Sequence, residues 1–427
     1  MLTTISIFSV FFFAVLCVLR IDLAYTIFAF LLPTYLIRYD FFGIPTTYLE
    51  LIFIPLTIFS LFSLHTEITQ TIKNHLKNKR AITVGILLFF IGAFIGIFFS
   101  PETRSALGSF KAFFVEPIIF YFLILAAWVK YPKLKNQTIY ALLSATVITS
   151  LLAIFQHFTG WMVPWDFWQN RNTYRVTGFW GYPNGVGLFV APLSLLVFSI
   201  LKINTGSKKI FQSFNLLIFF TLTTLACLYA KSTGALIAIL AGILLFCLSI
   251  KKIRLLIIFG IVLITLSVTL LPQTKPIRDE IFLHDYSGSL RVNIWGETTA
   301  LLSDHPIVGS GLAGYKTLIR PYRIDKWIEV FEHPHNLWLS VWVNAGLVGF
   351  TGLILITLSI IDSAWNAIRR NDWISSSAHV PMIAIFVFGL VDTPYLKNDS
   401  VFIFFFALAL ITSIGYNIRR DKLSTYE

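Results

Sequence analysis

Two histidines flank a proline at the start of an apolar segment, in the stretch HPHNLWLSVWVNAGLVG from His333 to Gly349. Pro334 disfavours helical geometry at His333 and favours an extended or turn approach. A helix is predicted to begin around His335 or Asn336, because Asn is among the preferred N-cap residues. The dipole at that helix N-terminus disfavours a positive charge and should lower the pKa of the imidazole. A neutral imidazole accepts a proton, which is the role of a general base.

Position alone leaves other roles open for these histidines. A histidine at a membrane–water boundary is also typical of a hydrogen-bonded structural side chain. A metal site built on His333 and His335 needs a third ligand, and none is apparent. The cysteines all lie inside apolar runs, without metal-ligand spacing. The sequence therefore predicts neither a metal nor a cofactor.

Arginines suited to anion binding lie in two further segments. Arg175 lies in YRVTGFWGYPNGVG, and Arg291 lies in GSLRVNIW at the predicted start of an amphipathic helix. Arginine presents a fixed fork of donors that suits phosphate oxygens. Together the two predict a site for an anionic lipid headgroup such as a diphosphate, although each alone is typical of a solvated surface charge. The Gly-rich stretch Gly309–Tyr315 offers backbone N–H groups to the same anion, or forms a plain turn.

Composition indicates the elements that must position these residues. Of the 427 residues, 56% are hydrophobic and only 13% are charged, against about 25% charged in soluble domains. The chain is thus predicted to be an all-α polytopic membrane protein, one domain over residues 1–427, with about 12 (11–13) spanning helices. The first apolar run is interpreted as a retained helix rather than a signal peptide. Gly346 and Gly349, one helical turn apart, predict close packing of another helix.

Basic clusters set the orientation of the predicted bundle. The net charge of +12 resides in short clusters between apolar runs, a pattern typical of cytoplasmic loops rather than of nucleic-acid binding. When the helices are threaded alternately, one side receives the clusters Lys73–Arg80, Lys130–Lys135, Lys251–Arg254, Ile368–Arg370 and Arg419–Lys422, and also Lys202, Lys208 and Lys209. That side is predicted to be cytoplasmic, together with the C-terminus. Residues 159–183 and 272–335 then form long outward loops of short helices and turns.

At this point the sequence resembles a family. His335 and Asn336, nine residues, Gly346, two residues and Gly349 resemble the signature of O-antigen ligases. DHPIVGSGLAGY is similar to the His-Pro-x-x-Gly-x-Gly segment that precedes this signature in the wider ligase and polymerase superfamily. RVTGFWGYPNGVGLF resembles the upstream Arg…Gly…Pro-Asn segment. These segments lie in the expected order between Arg175 and Gly349.

The resemblance implies a metal-independent, inverting glycosyltransferase in the bacterial plasma membrane, with its site on the periplasmic or exterior face. Its donor would be a polyprenyl-diphosphate-linked glycan, and its acceptor a hydroxyl of a glycolipid, a glycan or a protein. The resemblance assigns the general base to His335 and diphosphate binding to Arg175 and Arg291. Relatives often carry a Ser-Arg pair in a short outward turn that reads AKSTGA here, so Lys231 would supply a point charge instead. The supporting candidates are Asn336, Lys231, Glu116 and Tyr315.

Several functions stay open within this interpretation. An O-antigen or polysaccharide polymerase, or a protein O-oligosaccharyltransferase, would use the same chemistry with another acceptor. A lipid-linked glycan flippase belongs to a different class, which usually shows ionisable residues deep in the helices and internal repeats. The predicted helices here are nearly free of ionisable residues, with Glu116 the clearest exception. The transferase interpretation is therefore favoured.

Overall fold

A computed structural model of the chain describes residues 2–41, 44–170, 174–201, 207–324, 326 and 328–423. Lys202, one of the predicted inner cations, lies outside these residues. The described part is helical almost throughout, which confirms the predicted helical character. An antiparallel hairpin of β1 (Arg38–Phe41) and β2 (Ile44–Thr47) was not predicted.

The α-helices follow the predicted apolar runs closely, with short helices in the connecting loops. They are α1 (Leu2–Leu19), α2 (Ile21–Phe30), α3 (Tyr48–Ser63), α4 (His65–Asn78), α5 (Arg80–Phe98), α6 (Thr103–Phe110), α7 (Glu116–Lys130), α8 (Leu134–Thr159), α9 (Asp166–Gln169), α10 (Pro183–Ser194), α11 (Ser207–Tyr229), α12 (Thr233–Leu248), α13 (Arg254–Leu270), α14 (Lys275–Ile281), α15 (Tyr286–Asp304), α16 (Tyr315–Leu318), α17 (Leu337–Arg369), α18 (Trp373–Phe388) and α19 (Asn398–Leu423). A π-helical turn, Lys111–Val115, joins α6 to α7, and short 3-10 turns occupy Leu32–Leu36, Leu195–Ile200, Pro272–Thr274 and Arg320–Tyr322.

These helices make the chain an integral membrane protein, but not all of them are long enough to span a bilayer alone. Within the described residues, five helical stretches are long and apolar enough, and the bent pair α3–α4 is a sixth if it counts as one span. In seven further helices, the apolar segment measured in this way has 10–17 residues. The count of about 12 spans therefore stays a prediction.

Two helices form the centre of the bundle. In α19, residues 401–413 are buried on every face, and nearly all of α10 is buried as well. Helices that are apolar all round are stable only inside such a bundle. Because α10 and α19 begin at the same end, the loops that precede them meet there. Any polar side chain in those loops is thereby brought to one place.

Helices α5 and α17 pack closely through small residues. A Cβ atom on Gly92 of α5 would lie 2.2 Å from the backbone nitrogen of Gly349, and one on Gly352 would lie 2.5 Å from the backbone nitrogen of Phe89. Each clash would push the helices apart. Gly92 and Gly352 therefore lie where only glycine permits this helix–helix distance. A Cβ atom on Gly349 would lie 3.6 Å from Gly92 Cα, an ordinary contact, but 2.4 Å from Ala345 Cβ of its own helix.

Helix α17 is broken at Gly346, which has φ 62° and ψ −172°, a conformation essentially restricted to glycine. The segment 305–314 fills the break. Leu347 N donates to Ile307 O at 2.8 Å, and Ser310 N donates to Val343 O at 2.8 Å. The spacing of the two glycines predicted packing for Gly346, yet its conformation shows a second requirement that helical periodicity did not reveal.

Residues 272–335, called the outer segment below, form α14, α15, α16 and short turns on the bundle. The segment has a small apolar core of its own, which also includes one residue of α17 and consists of Leu301, Leu302, Tyr315, Ile319 and Val343. Asp285 caps α15 by accepting from Ser287 N and Gly288 N at 3.1 Å. The outer segment is thus a folded unit, and its helix α15 lies beside the start of α17.

Candidate active site

His335 lies in the turn immediately before α17. Asn336 caps this helix, as the sequence predicted, with its side-chain oxygen 3.0 Å from Trp338 N and 3.1 Å from Leu339 N. Trp295 of α15 donates to Pro334 O at 2.9 Å and ties the turn to the outer segment. His335 itself has φ +50°, which is uncommon for a residue with a Cβ and is found at functional sites. Neighbouring contacts therefore hold His335 in a backbone conformation that costs free energy.

Asp392 is the partner of His335. Its Oδ1 lies 3.4 Å from His335 Nδ1, and the aspartate side chain is only 4% exposed against 33% for the histidine. Burial alone would raise the pKa of Asp392, but the hydrogen bond and charge of His335, with Lys397, hold it below its usual range. A carboxylate at Nδ1 fixes the tautomer that carries its proton there. The half-buried imidazole then has Nε2, which has no hydrogen-bond partner among the described residues, to accept a proton.

Asn184 connects this pair to the first predicted arginine. Its side-chain nitrogen donates to Asp392 Oδ2 at 2.7 Å, and its side-chain oxygen accepts from Arg175 Nη2 at 3.1 Å. Both ends of one amide are therefore used. The result is a continuous polar chain of Arg175, Asn184, Asp392 and His335, drawn from the entries to α10, α17 and α19.

Arg175 is held firmly on its remaining sides. Its Nε donates to Ala230 O at 2.8 Å, its Nη2 donates to Lys231 O at 3.1 Å, and its guanidinium lies over the Trp168 ring, 5.1 Å from the centroid. Burial, reinforced by the charge of Arg291, lowers the pKa of Arg175 to about 10, so the group stays charged at neutral pH. Nη1 has no partner among the described residues and remains available as a donor.

Arg291 lies on the first turns of α15 and is held loosely by comparison. Its Nη1 donates to Ser287 Oγ at 3.0 Å, one turn earlier on the same helix. Its charge acts on Arg175 strongly enough to affect the pKa of that residue. Two cations that repel each other across an open site are stabilised by an anion between them. The structure thus brings Arg175, Arg291 and His335 into one neighbourhood.

The other candidate residues lie elsewhere or act differently. The Lys231 side chain is exposed, and the residue contributes its backbone carbonyl to Arg175. Tyr315 is 2% exposed and its hydroxyl pairs with Thr298 at 2.8 Å, so it belongs to the core of the outer segment. Glu116 lies 3.9 Å from Lys111, which also pairs with Glu50 at 2.8 Å, in a separate cluster at the start of α7.

The Gly-rich stretch does not expose its backbone N–H groups to an anion. Ser310 N donates to Val343 O, Leu312 N donates to Gly96 O at 2.9 Å, and Ala313 N donates to Asn344 Oδ1 at 3.0 Å. These groups fasten the segment to α5 and α17. The turn interpretation is therefore correct, and the anion interpretation is wrong for these donors.

Sequence reasoning missed the acidic and amide members of the cluster and a buried cation beside them. Lys397 donates to Tyr182 OH at 2.6 Å; burial would lower its pKa, but Tyr182 and Asp392 raise it above its usual range. Burial also lowers the pKa of the neighbouring His333 to about 3, so this imidazole stays neutral. The available signal was the loop VDTPYLKN, which places Asp392 and Lys397 in an otherwise apolar stretch.

Metal ligation finds no support at these residues. In the ranges that the structure describes, no group of three or more His, Cys, Asp or Glu side chains is arranged to hold a metal ion. His335 has the carboxylate of Asp392 at Nδ1, which orients the imidazole ring. What the cluster can do chemically is accept a proton beside two cations.

Comparison with known proteins indicates a ligase family. Residues 217–354 match the sequence model of a family described as O-Antigen ligase. A Rickettsia bellii protein described as "Putative polysaccharide ligase" is 24% identical over 74% of this chain and 76% of its own length. A Haemophilus influenzae protein described as uncharacterized is 24% identical over 64% of this chain and 76% of its own length. The match confirms the family resemblance that the histidine signature predicted.

Proposed function

We propose that this chain, whose family match supports a ligase-like glycosyltransferase, moves a glycan from a polyprenyl-diphosphate donor to an acceptor hydroxyl. The observation that carries the proposal is the His335–Asp392 pair beside Arg175 and Arg291. A base oriented by a buried carboxylate suits deprotonation of a hydroxyl. Paired arginines suit a leaving group with several phosphate oxygens. Few other reactions need both within one membrane protein.

His335 would act as the general base. Its Nε2 takes the proton of the acceptor hydroxyl as that oxygen attacks the anomeric carbon of the donor sugar. The imidazolium that forms is stabilised by the negative charge of Asp392, whose second oxygen is held by Asn184. Because that carboxylate is buried and hydrogen-bonded before substrate binds, it needs no reorganisation during the reaction.

The arginines would stabilise the leaving group. As the new glycosidic bond forms, the bond between the anomeric carbon and the diphosphate oxygen breaks, and its electron pair leaves with the lipid diphosphate. The added negative charge falls between Arg175 and Arg291, and the proton held by His335 can pass to the released diphosphate or to water. A single displacement of this kind inverts the anomeric centre. No step in it requires a metal ion.

The location of the cluster suits an amphiphilic donor. It lies where three helices of the bundle begin, so a polyprenyl chain would stay among lipids while its diphosphate reaches Arg175. With the predicted orientation, this end of the bundle faces the periplasm or exterior of a bacterial plasma membrane, and the C-terminus is cytoplasmic. We take ligation to a glycolipid as the leading reaction, because the family description and the Rickettsia bellii protein's description both name ligases.

His335→Ala tests the proposal most directly. Removing the proton acceptor should reduce transfer by about 10⁴-fold, near the upper limit for general base catalysis. Transfer is measured with purified protein in vesicles, a radiolabelled polyprenyl-diphosphate oligosaccharide and separate glycolipid, glycan and peptide acceptors. Product on the glycolipid alone supports the ligase, while elongation of the donor glycan itself supports a polymerase.

His284→Ala is the matched control, because His284 is an exposed histidine of the same outer segment. It should retain full transfer. Equal activity of the His335 and His284 variants would contradict the base assignment. If both variants move the intact donor across the vesicle membrane at the same rate and form no glycosidic product, a flippase would be favoured instead.

A further inference from the structure

A polar cleft lies at the end of the bundle opposite His335. The part of α17 that follows the break at Gly346 runs from Leu347 to Arg369, about 35 Å at 1.5 Å per residue, and the cleft lies near its C-terminal end. The cleft contains about 1170 Å³ of empty space, open mouth included. Its walls come from the inner ends of α5, α17, α18 and α19 and from the α4–α5 junction. None of its residues takes part in the site described above.

The rim of this cleft carries an excess of positive charge. Lys79, Arg80 and Arg370 all line it, and none of the three forms an ion pair within the described part of the chain. The two acidic residues of the lining are already engaged. Asp372 accepts from Ser375 N at 2.9 Å, and Asp362 accepts from Asn366 Nδ2 at 3.2 Å. These hydrogen bonds come from neutral groups, so the lining carries three cations against two carboxylates. The remaining positive charge favours an anionic ligand.

The floor of the cleft is polar, but its histidine is already fully hydrogen-bonded within the protein. His379 is 1% exposed, with Nδ1 2.8 Å from Ser375 O and Nε2 2.9 Å from Ser363 Oγ. Its two ring nitrogens are therefore occupied, and specificity must come from the rim. Ile414, which is half-buried, adds an apolar surface to the lining, while Ile82 and Ile411 behind it are 6% and 3% exposed and belong to the core of the bundle. A ligand that combines an anionic head with apolar chains fits both surfaces.

Helix α4 indicates the height of the cleft relative to the bilayer. It meets α3 at 88° and its sequence HTEITQTIKNHLKN is amphipathic, with Thr71 and His75 on the buried face. An amphipathic helix perpendicular to a spanning helix is typical of one that lies along the membrane interface. Because α4 ends directly at Lys79, the rim of the cleft lies at the level of the lipid headgroups.

We propose that this cleft binds the phosphate of an anionic phospholipid from the leaflet opposite to the catalytic site. Basic pockets between transmembrane helices on that side bind such headgroups in other membrane proteins. Arg80 and Arg370 supply guanidinium forks to the phosphate, Lys79 supplies a point charge, and Ile414 offers an apolar contact to the acyl chains. The inference does not depend on the glycosyl-transfer proposal.

The test measures lipid binding directly. Full-length protein, purified in a neutral detergent, is titrated with short-chain phosphatidylglycerol, phosphatidylcholine and glycerol 1-phosphate, and bound lipid is measured by native mass spectrometry. Phosphatidylglycerol should bind, and the combined Lys79→Gln, Arg80→Gln and Arg370→Gln variant should bind it on the order of a hundredfold more weakly, at roughly fivefold per cation. Equal binding of phosphatidylcholine would overturn the proposal.

A charge-matched control separates the cleft from general attraction. Lys133→Gln, Lys251→Gln and Lys252→Gln remove three exposed cations from the same end of the bundle, outside the cleft. The affinity of this variant for phosphatidylglycerol should be unchanged, and a loss equal to that of the cleft variant would overturn the proposal. Glycerol 1-phosphate lacks acyl chains, and its binding as tightly as phosphatidylglycerol would also overturn the proposal. The single Arg370→Gln variant, changed at an exposed helix end, decides the matter if the triple variant does not fold: it should lose about fivefold, and unchanged binding would count against the site.

Discussion

Two regions of the molecule supply the cations of the candidate active site, and they hold them differently. Arg175 lies in the loop that leads into α10, a central helix of the bundle. Two backbone carbonyls, an amide and an indole ring fix its guanidinium there. Arg291 projects from α15 of the outer segment, where its one side-chain hydrogen bond to a described residue is to Ser287 of its own helix. One cation is preorganised by the fold, and the other is presented by a unit that packs on the fold. The difference predicts unequal sensitivity to substitution.

Asp392→Asn should produce the largest effect on this comparison. The amide of Asn can keep the contacts with Asn184 and Thr393 only in part. The substitution also removes the negative charge that stabilises an imidazolium at His335. We expect kcat to fall on the order of 10³-fold with little change in KM for the donor. Asp166→Asn, an exposed aspartate of the 159–183 loop, serves as the control and should be unaffected. A loss confined to KM would assign Asp392 to binding instead.

Arg175→Lys and Arg291→Lys compare the two regions directly. Lysine cannot reproduce the fork that Arg175 directs at Ala230, Lys231 and Asn184, so kcat/KM should fall by about 100-fold. At Arg291 a lysine keeps the charge and loses only a bond to Ser287, so a loss of about tenfold is expected. Steady-state assays with varied donor concentration measure both. Equal losses would show that the scaffold around Arg175 does not matter for phosphate binding.

Gly346→Ala should have the smallest effect on transfer and a clear effect on stability. A Cβ atom there would lie 2.4 Å from Ile307 O, in a left-handed backbone conformation. We expect the free energy of unfolding to fall by about 1–3 kcal/mol, measured by denaturant titration in detergent micelles.

Gly296→Ala is the control for this stability measurement. Its Cβ atom would meet open space on α15, so helix propensity should leave stability unchanged or raised by up to about 1 kcal/mol. Equal destabilisation by both substitutions would show that the break at Gly346 has no special role.

Much of the fold could be predicted from local patterns. Apolar runs predicted the helices because each run must bury or solvate its side chains in lipid, whatever its neighbours are. Asn336 was predicted as a cap because capping depends on the next three residues alone. His335, Arg175 and Arg291 were selected by residue type and by resemblance, and the structure brings them together, while their assigned roles stay proposals.

What could not be predicted required knowledge of which loops meet. Asp392 is 57 positions from His335 and Asn184 is 208 positions from Asp392, and no periodicity relates such distances. Gly346 was also misjudged in part, since a one-turn spacing of glycines is typical of packing and does not reveal a break. Tyr315 was selected for its place after a Gly-rich stretch, although it lies in the core of the outer segment.

The break in α17 limits how a large substrate can reach the site. The 305–314 stretch is hydrogen-bonded to α17 at three points. Ile307 O accepts from Leu347 N, Ser310 N donates to Val343 O, and Ala313 N donates to Asn344 Oδ1. Without these bonds, the backbone groups would lie unpaired inside the bundle. Lifting this stretch away would expose several backbone groups to an apolar surrounding, at a cost of several kcal/mol each. The 305–314 stretch, in the middle of the outer segment, is therefore fixed to α17 and does not act as a hinge. Any opening that admits a glycan must come from the parts of the segment beyond it.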